Sequence, residues 1–152
     1  MWQPPTPCAT ISLGEQVSPI GSFTEPEYAQ VGLTEAKARE THDVVIAAMH
    51  FDETARTIID GRTCGFCKLI VDRESRAILG CHVVGERAVE IVQVVAIAIA
   101  AGMQVDDLAR VPLSFPTYAG ILASVRTWFL LPVAAEARKK NVPRFFLAAW
   151  CE

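Results

Sequence analysis

The chain of 152 residues lacks a membrane-length apolar run. Its longest candidate, Ile91 to Gly102, is interrupted by Gln93 and covers about 12 positions where a span needs about 20. No basic start and no apolar core mark the N-terminus, which carries Pro4, Pro5 and Pro7 instead, so no secretory signal is expected there. Basic residues number 14 against 17 acidic ones, the net charge is −3, and no basic cluster stands out. Neither a nucleic acid nor a membrane surface is therefore an expected partner. Glycine-rich phosphate loops of the G-x-G-x-x-G type are missing, as are internal repeats and low-complexity tracts. Cysteine is present but unpaired in number. Cys8, Cys64, Cys67, Cys81 and Cys151 are scattered, which excludes an obvious disulfide framework and fits reduced thiols in the cytoplasm.

What remains is the composition of a globular domain: 51% hydrophobic and 20% charged residues. Residues 1–19 read as an irregular lead-in, 20–129 as the folded domain and 130–152 as a C-terminal extension. Gly21 to Gly32 reads as two short strands around a turn at Glu25-Pro26, because proline fixes its own φ and pushes its predecessor out of the helical region. Thr34 has the hydroxyl to cap a short helix, with Glu35 at the positive end of its dipole. Asp43 to Phe51 is rich in Val, Ile and Ala and reads as a strand, and Thr57 to Gly61 as a bend or short strand. Gly65 to Val71 and Ala77 to Gly85 form a hairpin around Asp72–Ser75. Ala88 to Ala101 is apolar nearly all round, so it reads as a buried helix ended by Gly102. A polar stretch with Asp106, Asp107 and Arg110 leads to Pro112. A last helix opens near Ser114, with Pro116 in its first turn and Ile121, Leu122, Val125, Trp128 and Phe129 at helical spacing. The order implies an α+β fold, an antiparallel sheet with helices packed on one side.

Several runs then stand in a familiar order. They are Phe23 to Glu27, Val31 to Ala38, Gly65 to Leu69, Ile78 to Gly85, Glu90-Ile91 and Phe115 to Tyr118. Together they resemble the C-terminal dimerisation domain of the flavin-dependent pyridine nucleotide-disulfide oxidoreductases. That family includes dihydrolipoamide dehydrogenase, glutathione reductase, mercuric reductase and the soluble transhydrogenase. The resemblance implies FAD and NAD(P) in full-length relatives, bound by domains ahead of this one, and a redox cysteine pair in the FAD domain. None of these is expected in this chain. It also implies a homodimer, with Phe115, Pro116, Thr117, Tyr118, Ile121 and Val125 at the subunit contact.

The resemblance breaks at one place. Disulfide-reducing members carry a histidine for proton transfer before the last helix and a glutamate that orients it. The corresponding positions here are Phe115 and Gly120. A benzyl group cannot move a proton, and glycine cannot hold an imidazole.

Other candidate sites read as structural. Cys64 and Cys67 have C-x-x-C spacing, but on a strand they point to opposite faces. A zinc set of Cys64, Cys67, Cys81 and His82 fails on the same ground. With Val71 opposite Arg76, Cys64 and Cys81 share one face while Cys67 and His82 share the other. Asp52-Glu53 and Asp106-Asp107 read as solvated turn charges, and His42 and His50 as surface residues. The helix 88–101 reads as core rather than as the wall of a ligand groove.

Three functions compete. The first is a stand-alone dimerisation module without redox catalysis. The second is a fragment or subunit of an oxidoreductase, completed in trans by an FAD/NAD(P)-binding protein. The third is a small cysteine-based enzyme or metal protein. Met1 and the unmatched tail favour a self-contained reading frame. In the tail, Ala134 to Lys140 reads as a helix, and Phe145, Phe146 and Trp150 need a surface to dock on.

Overall fold

The structure, a computed structural model, describes residues 17–130. The tail helix and the docking of Phe145, Phe146 and Trp150 lie outside the described residues, as does most of the lead-in.

Five strands form one antiparallel sheet: β1 (Ile20–Ser22), β2 (Tyr28–Gly32), β3 (Val44–His50), β4 (Phe66–Asp72) and β5 (Ile78–Val84). Their order is β1-β2-β5-β4-β3. Alternation decides which side of each strand is buried. Ala29 and Val31, Val45 and Ala47, Cys67, Leu69 and Val71, and Cys81 and Val83 all enter the main core. A side chain such as Leu69, fully buried, stabilises by about 1.5–3 kcal/mol relative to exposure.

Helices α3 (Ala88–Ala100), α4 (Val105–Arg110) and α5 (Ile121–Leu130) bring apolar residues into that core. Helix α1 (Glu35–Thr41) instead sits in a smaller cluster, where Ala38 meets Val44 and Ile70. Thr34 caps α1 as expected, its hydroxyl accepting from the Lys37 N–H at 3.4 Å. Gly102 adopts φ +67 just after α3, the left-handed stop the sequence called for.

Four sequence expectations need correction. Residues Ala55–Ile59 form helix α2, not a bend or strand. The polar stretch before Pro112 is helix α4, whose start is closed by the Asp107 carboxylate accepting from the Gln104 N–H at 3.2 Å. The last helix begins at Ile121 rather than Ser114, after a single 3-10 turn at Tyr118–Gly120. Helix α3 is not covered all round: Glu90, Gln93, Ile97 and Ala100 form an exposed stripe, with Ile97 at 62%.

The β4–β5 register also differs from expectation. Leu69 pairs with Cys81, Lys68 with His82 and Phe66 with Val84, with an irregularity at Ile70/Val71. The irregularity skips Leu79, which has no Cα partner on β4 and whose carbonyl accepts from the Leu33 N–H at 2.8 Å instead, and this one-residue slip exchanges faces between the strands. In the turn itself Arg76 takes φ +63, and its guanidinium grips Asp106 through two 2.8 Å bonds. A left-handed backbone costs a non-glycine residue energy, and this bidentate ion pair offsets it.

Candidate functional site

The register fixes the chemistry of the thiols. Cys67 and Cys81 lie on one face, fully buried, with sulfurs 3.9 Å apart. This replaces the expected pairing of Cys64 with Cys81 and of Cys67 with His82. Contact with the Cys81 thiol, then burial, pushes the Cys67 thiol well above the ordinary range. Such a group holds its proton and packs as a small hydrophobe. Cys64 is exposed and precedes β4.

His82 points to the other side of the sheet. Its Nε2 lies 3.1 Å from the Leu33 carbonyl, which makes that nitrogen the donor. Burial lowers its pKa, and the Lys68 ammonium adds to the effect; the Leu33 carbonyl and Glu35 oppose it. Among the described residues, no three His, Cys, Asp or Glu side chains group to hold a metal ion, and no helix is long and apolar enough to cross a membrane. His42 is exposed and His50 half-buried.

The turn from β5 into α3 leads into the longest helix among the described residues, and a phosphate cradle there would need room beside its glycine. Its glycine, Gly85, has φ +132 and lies against the Phe51 ring; an added Cβ would meet Cε2 of that ring at 2.5 Å. The space beside it is filled by carbon. At the helix end itself, the Glu27 carboxylate accepts from the Val89 N–H at 3.5 Å, and Glu90 adds a second acid to the first turn. An anion from outside would meet carboxylates there.

The segment carrying Phe115 differs from both. Phe115 is 82% exposed and Pro116 is exposed beside it. Thr117 caps the 3-10 turn: its hydroxyl donates to the Ser114 carbonyl at 2.8 Å and accepts from the Gly120 N–H at 3.2 Å. Tyr118 donates its phenol to the Asp60 carboxylate at 2.8 Å. Ile121 and Val125, read from the sequence as contact residues, are 1% and 0% exposed. They face the core of their own subunit. Of the six residues expected at a subunit contact, Phe115 and Pro116 stand exposed, while Thr117 and Tyr118 are half-buried. Helix α2 neighbours this segment, a contact that no motif in the sequence signals. Asp60 closes that helix and receives both Tyr118 and, at 2.8 Å, the Arg56 guanidinium.

The Gly120 position has room. A Cβ there would meet the Thr117 hydroxyl at 3.7 Å, an ordinary contact. The local backbone could therefore carry a side chain at Gly120, and the sequence supplies none.

Comparison with known proteins decides the family. Residues 18–126 match the pyridine nucleotide-disulphide oxidoreductase dimerisation domain. The chain belongs to that family. It is 36% identical over 104 residues to the mercuric reductase of Lysinibacillus sphaericus, covering 68% of this chain and 19% of that protein. It is 34% identical over 110 residues to the dihydrolipoyl dehydrogenase of Haloferax volcanii, covering 72% of this chain and 23% of that protein. The fold is shared with the HOCl-induced flavoprotein disulfide reductase RclA of Escherichia coli, at TM-score 0.71 and 24% identity over 74% of this chain and 26% of that one. LpdA of Mycobacterium tuberculosis gives TM-score 0.70 and 22% identity over 75% and 25%. The chain thus spans about a fifth of the length of the curated relatives.

Proposed function

We propose that this chain is an interface module, cytoplasmic and without redox catalysis of its own, which associates as a homodimer. The observation that carries this reading is the exposed Phe115 on a segment held by the Thr117 cap and the Tyr118–Asp60 bond. A large apolar side chain on a fixed backbone is what an interface anchor needs, since little freedom remains to be lost on contact. A closed dimer would use the same patch on both copies.

The lack of catalysis rests on residue chemistry. Phe115 and Gly120 supply no acid, base or orienting group. The β5–α3 junction offers a nucleotide little support, since the Phe51 ring lies against Gly85 and the Glu27 carboxylate sits at the helix end. FAD and NAD(P) would be held by other domains, as in relatives of full length. The second reading is a piece of a flavoenzyme completed in trans, favoured by the short share of each relative that the chain covers. Native mass and visible spectrum, measured together on the purified chain, separate the two. A colourless dimer supports the interface module. A complex of higher mass with flavin absorption supports the second reading.

A further inference from the structure

We infer that Asp60 is a positioning residue for self-association: with Arg56 it holds Tyr118, and through Tyr118 the segment that presents Phe115. The inference rests on the homodimer proposed above.

Residues 111–117 carry no helix or strand. The exposed ring of Phe115 has little of its own subunit to fix it. The Thr117 cap is local, reaching only Ser114 and Gly120. The Tyr118–Asp60 bond is different, because it spans 58 residues of chain and ties the segment to another element. One carboxylate oxygen, Asp60 Oδ2, receives the Tyr118 phenol and the Arg56 Nε–H, each at 2.8 Å. Two donors on one acceptor fix its direction better than one. The Tyr118 bond holds the Asp60 carboxyl below its ordinary range, while burial and then Asp60 push the phenol up. The proton therefore stays on the phenol and the charge on the carboxylate through neutral pH.

Helix α2 is itself anchored. The buried Thr57 hydroxyl donates to the Phe51 carbonyl and meets the Thr54 hydroxyl at 2.7 Å. The Thr57 carbonyl accepts from the Arg62 N–H at 2.8 Å. Phe51 is fully buried and lies under Gly85. A continuous set of contacts thus runs from the core, through α2 and Asp60, to Tyr118.

An exposed pair of this kind contributes little to the stability of one subunit. Its effect falls on association. A segment already fixed before contact has less conformational entropy to lose when two copies meet. In a two-fold dimer the same loss is incurred at both segments, so a threefold effect per copy becomes about tenfold in the dimer constant.

The test is sedimentation equilibrium on the whole 152-residue chain, with circular dichroism and urea unfolding as controls for the fold. Asp60→Ala and Tyr118→Phe should each weaken the dimer by about tenfold, and the double variant by no more than either alone, because both remove one interaction. Asp60→Asn, which keeps an acceptor, should stay within about threefold of the parent. Unfolding midpoints of the diluted monomer should move little in all four. Unchanged dimer constants, effects that multiply in the double variant, or a midpoint loss that accounts for the weakening would each overturn the role of Asp60. If that happens while Phe115→Asp gives a monomer, self-association stands and the inference alone fails. A parent chain that is monomeric at every concentration would end both.

Discussion

The β4–β5 thiols and the Phe115 segment carry opposite kinds of residue in opposite kinds of place. Cys67 and Cys81 have reactive chemistry, but they are buried against one another with a raised Cys67 pKa. Phe115 has no reactive chemistry, but it stands in solvent on a capped turn. Residue type and location must agree before chemistry follows. In the interior a thiol serves as packing; at the surface a benzyl group offers apolar area for contact.

The largest effect should come from testing the silence of the thiols. A thiol reagent should modify Cys67 and Cys81 at least about 1000-fold more slowly than Cys64, because they require opening of the core. Tandem mass spectrometry of the tryptic peptides resolves the sites, and comparable rates would break the contrast. The interior should also refuse added atoms. Gly85→Ala places a Cβ against Phe51 at a backbone angle that favours glycine. A loss of about 3 kcal/mol is expected in urea unfolding.

The surface segment should respond in the other way. Phe115→Asp should weaken the dimer by about 100-fold while leaving subunit stability within about 0.5 kcal/mol. Sedimentation and urea unfolding separate the two quantities.

His82 gives a smaller, pH-dependent contrast between the sheet's two faces. Its folded pKa is lowered by burial, so the folded state prefers the neutral ring. That stability is present above the ordinary imidazole value of about 6.5 and is lost as pH falls through it towards the lowered value. A drop of less than about 1 kcal/mol is expected between pH 7.5 and 5.5, given the partial exposure. His82→Gln should flatten this part of the pH profile.

The smallest effect is expected from Phe115→His combined with Gly120→Glu. The first position is exposed and the second has room, so the unfolding midpoint should change by no more than about 0.5–1 kcal/mol. A large loss would mean that the segment does not accommodate those side chains.

Much of this fold was legible because local rules and tertiary packing agree. Thr34 caps α1, Gly102 stops α3, and β2 alternates as a half-buried strand should. The features that were missed depend on distant partners. The β4–β5 register turns on the skipped Leu79, whose carbonyl is taken by the Leu33 N–H from a distant part of the chain. Helix α2 has β-branched Thr57, Ile58 and Ile59 in five residues, a composition that reads as strand. Threonine hydroxyls bound to the Phe51 carbonyl hold it in place. Helix α4 starts at Gln104, a weak capping residue, and relies on Asp107. At the candidate surface, the resemblance named Phe115 and Pro116 as contact residues, and both stand exposed. The burial of Ile121 and Val125 was not, because helical spacing marks an apolar face without saying which body covers it.

Glu27 touches the first turn of α3 with its side chain, while its own carbonyl accepts from the Gly85 N–H at 2.8 Å. The domain thereby plugs the start of its longest described helix with a piece of itself. A protein built around such a unit would gain nothing for phosphate binding from this helix end.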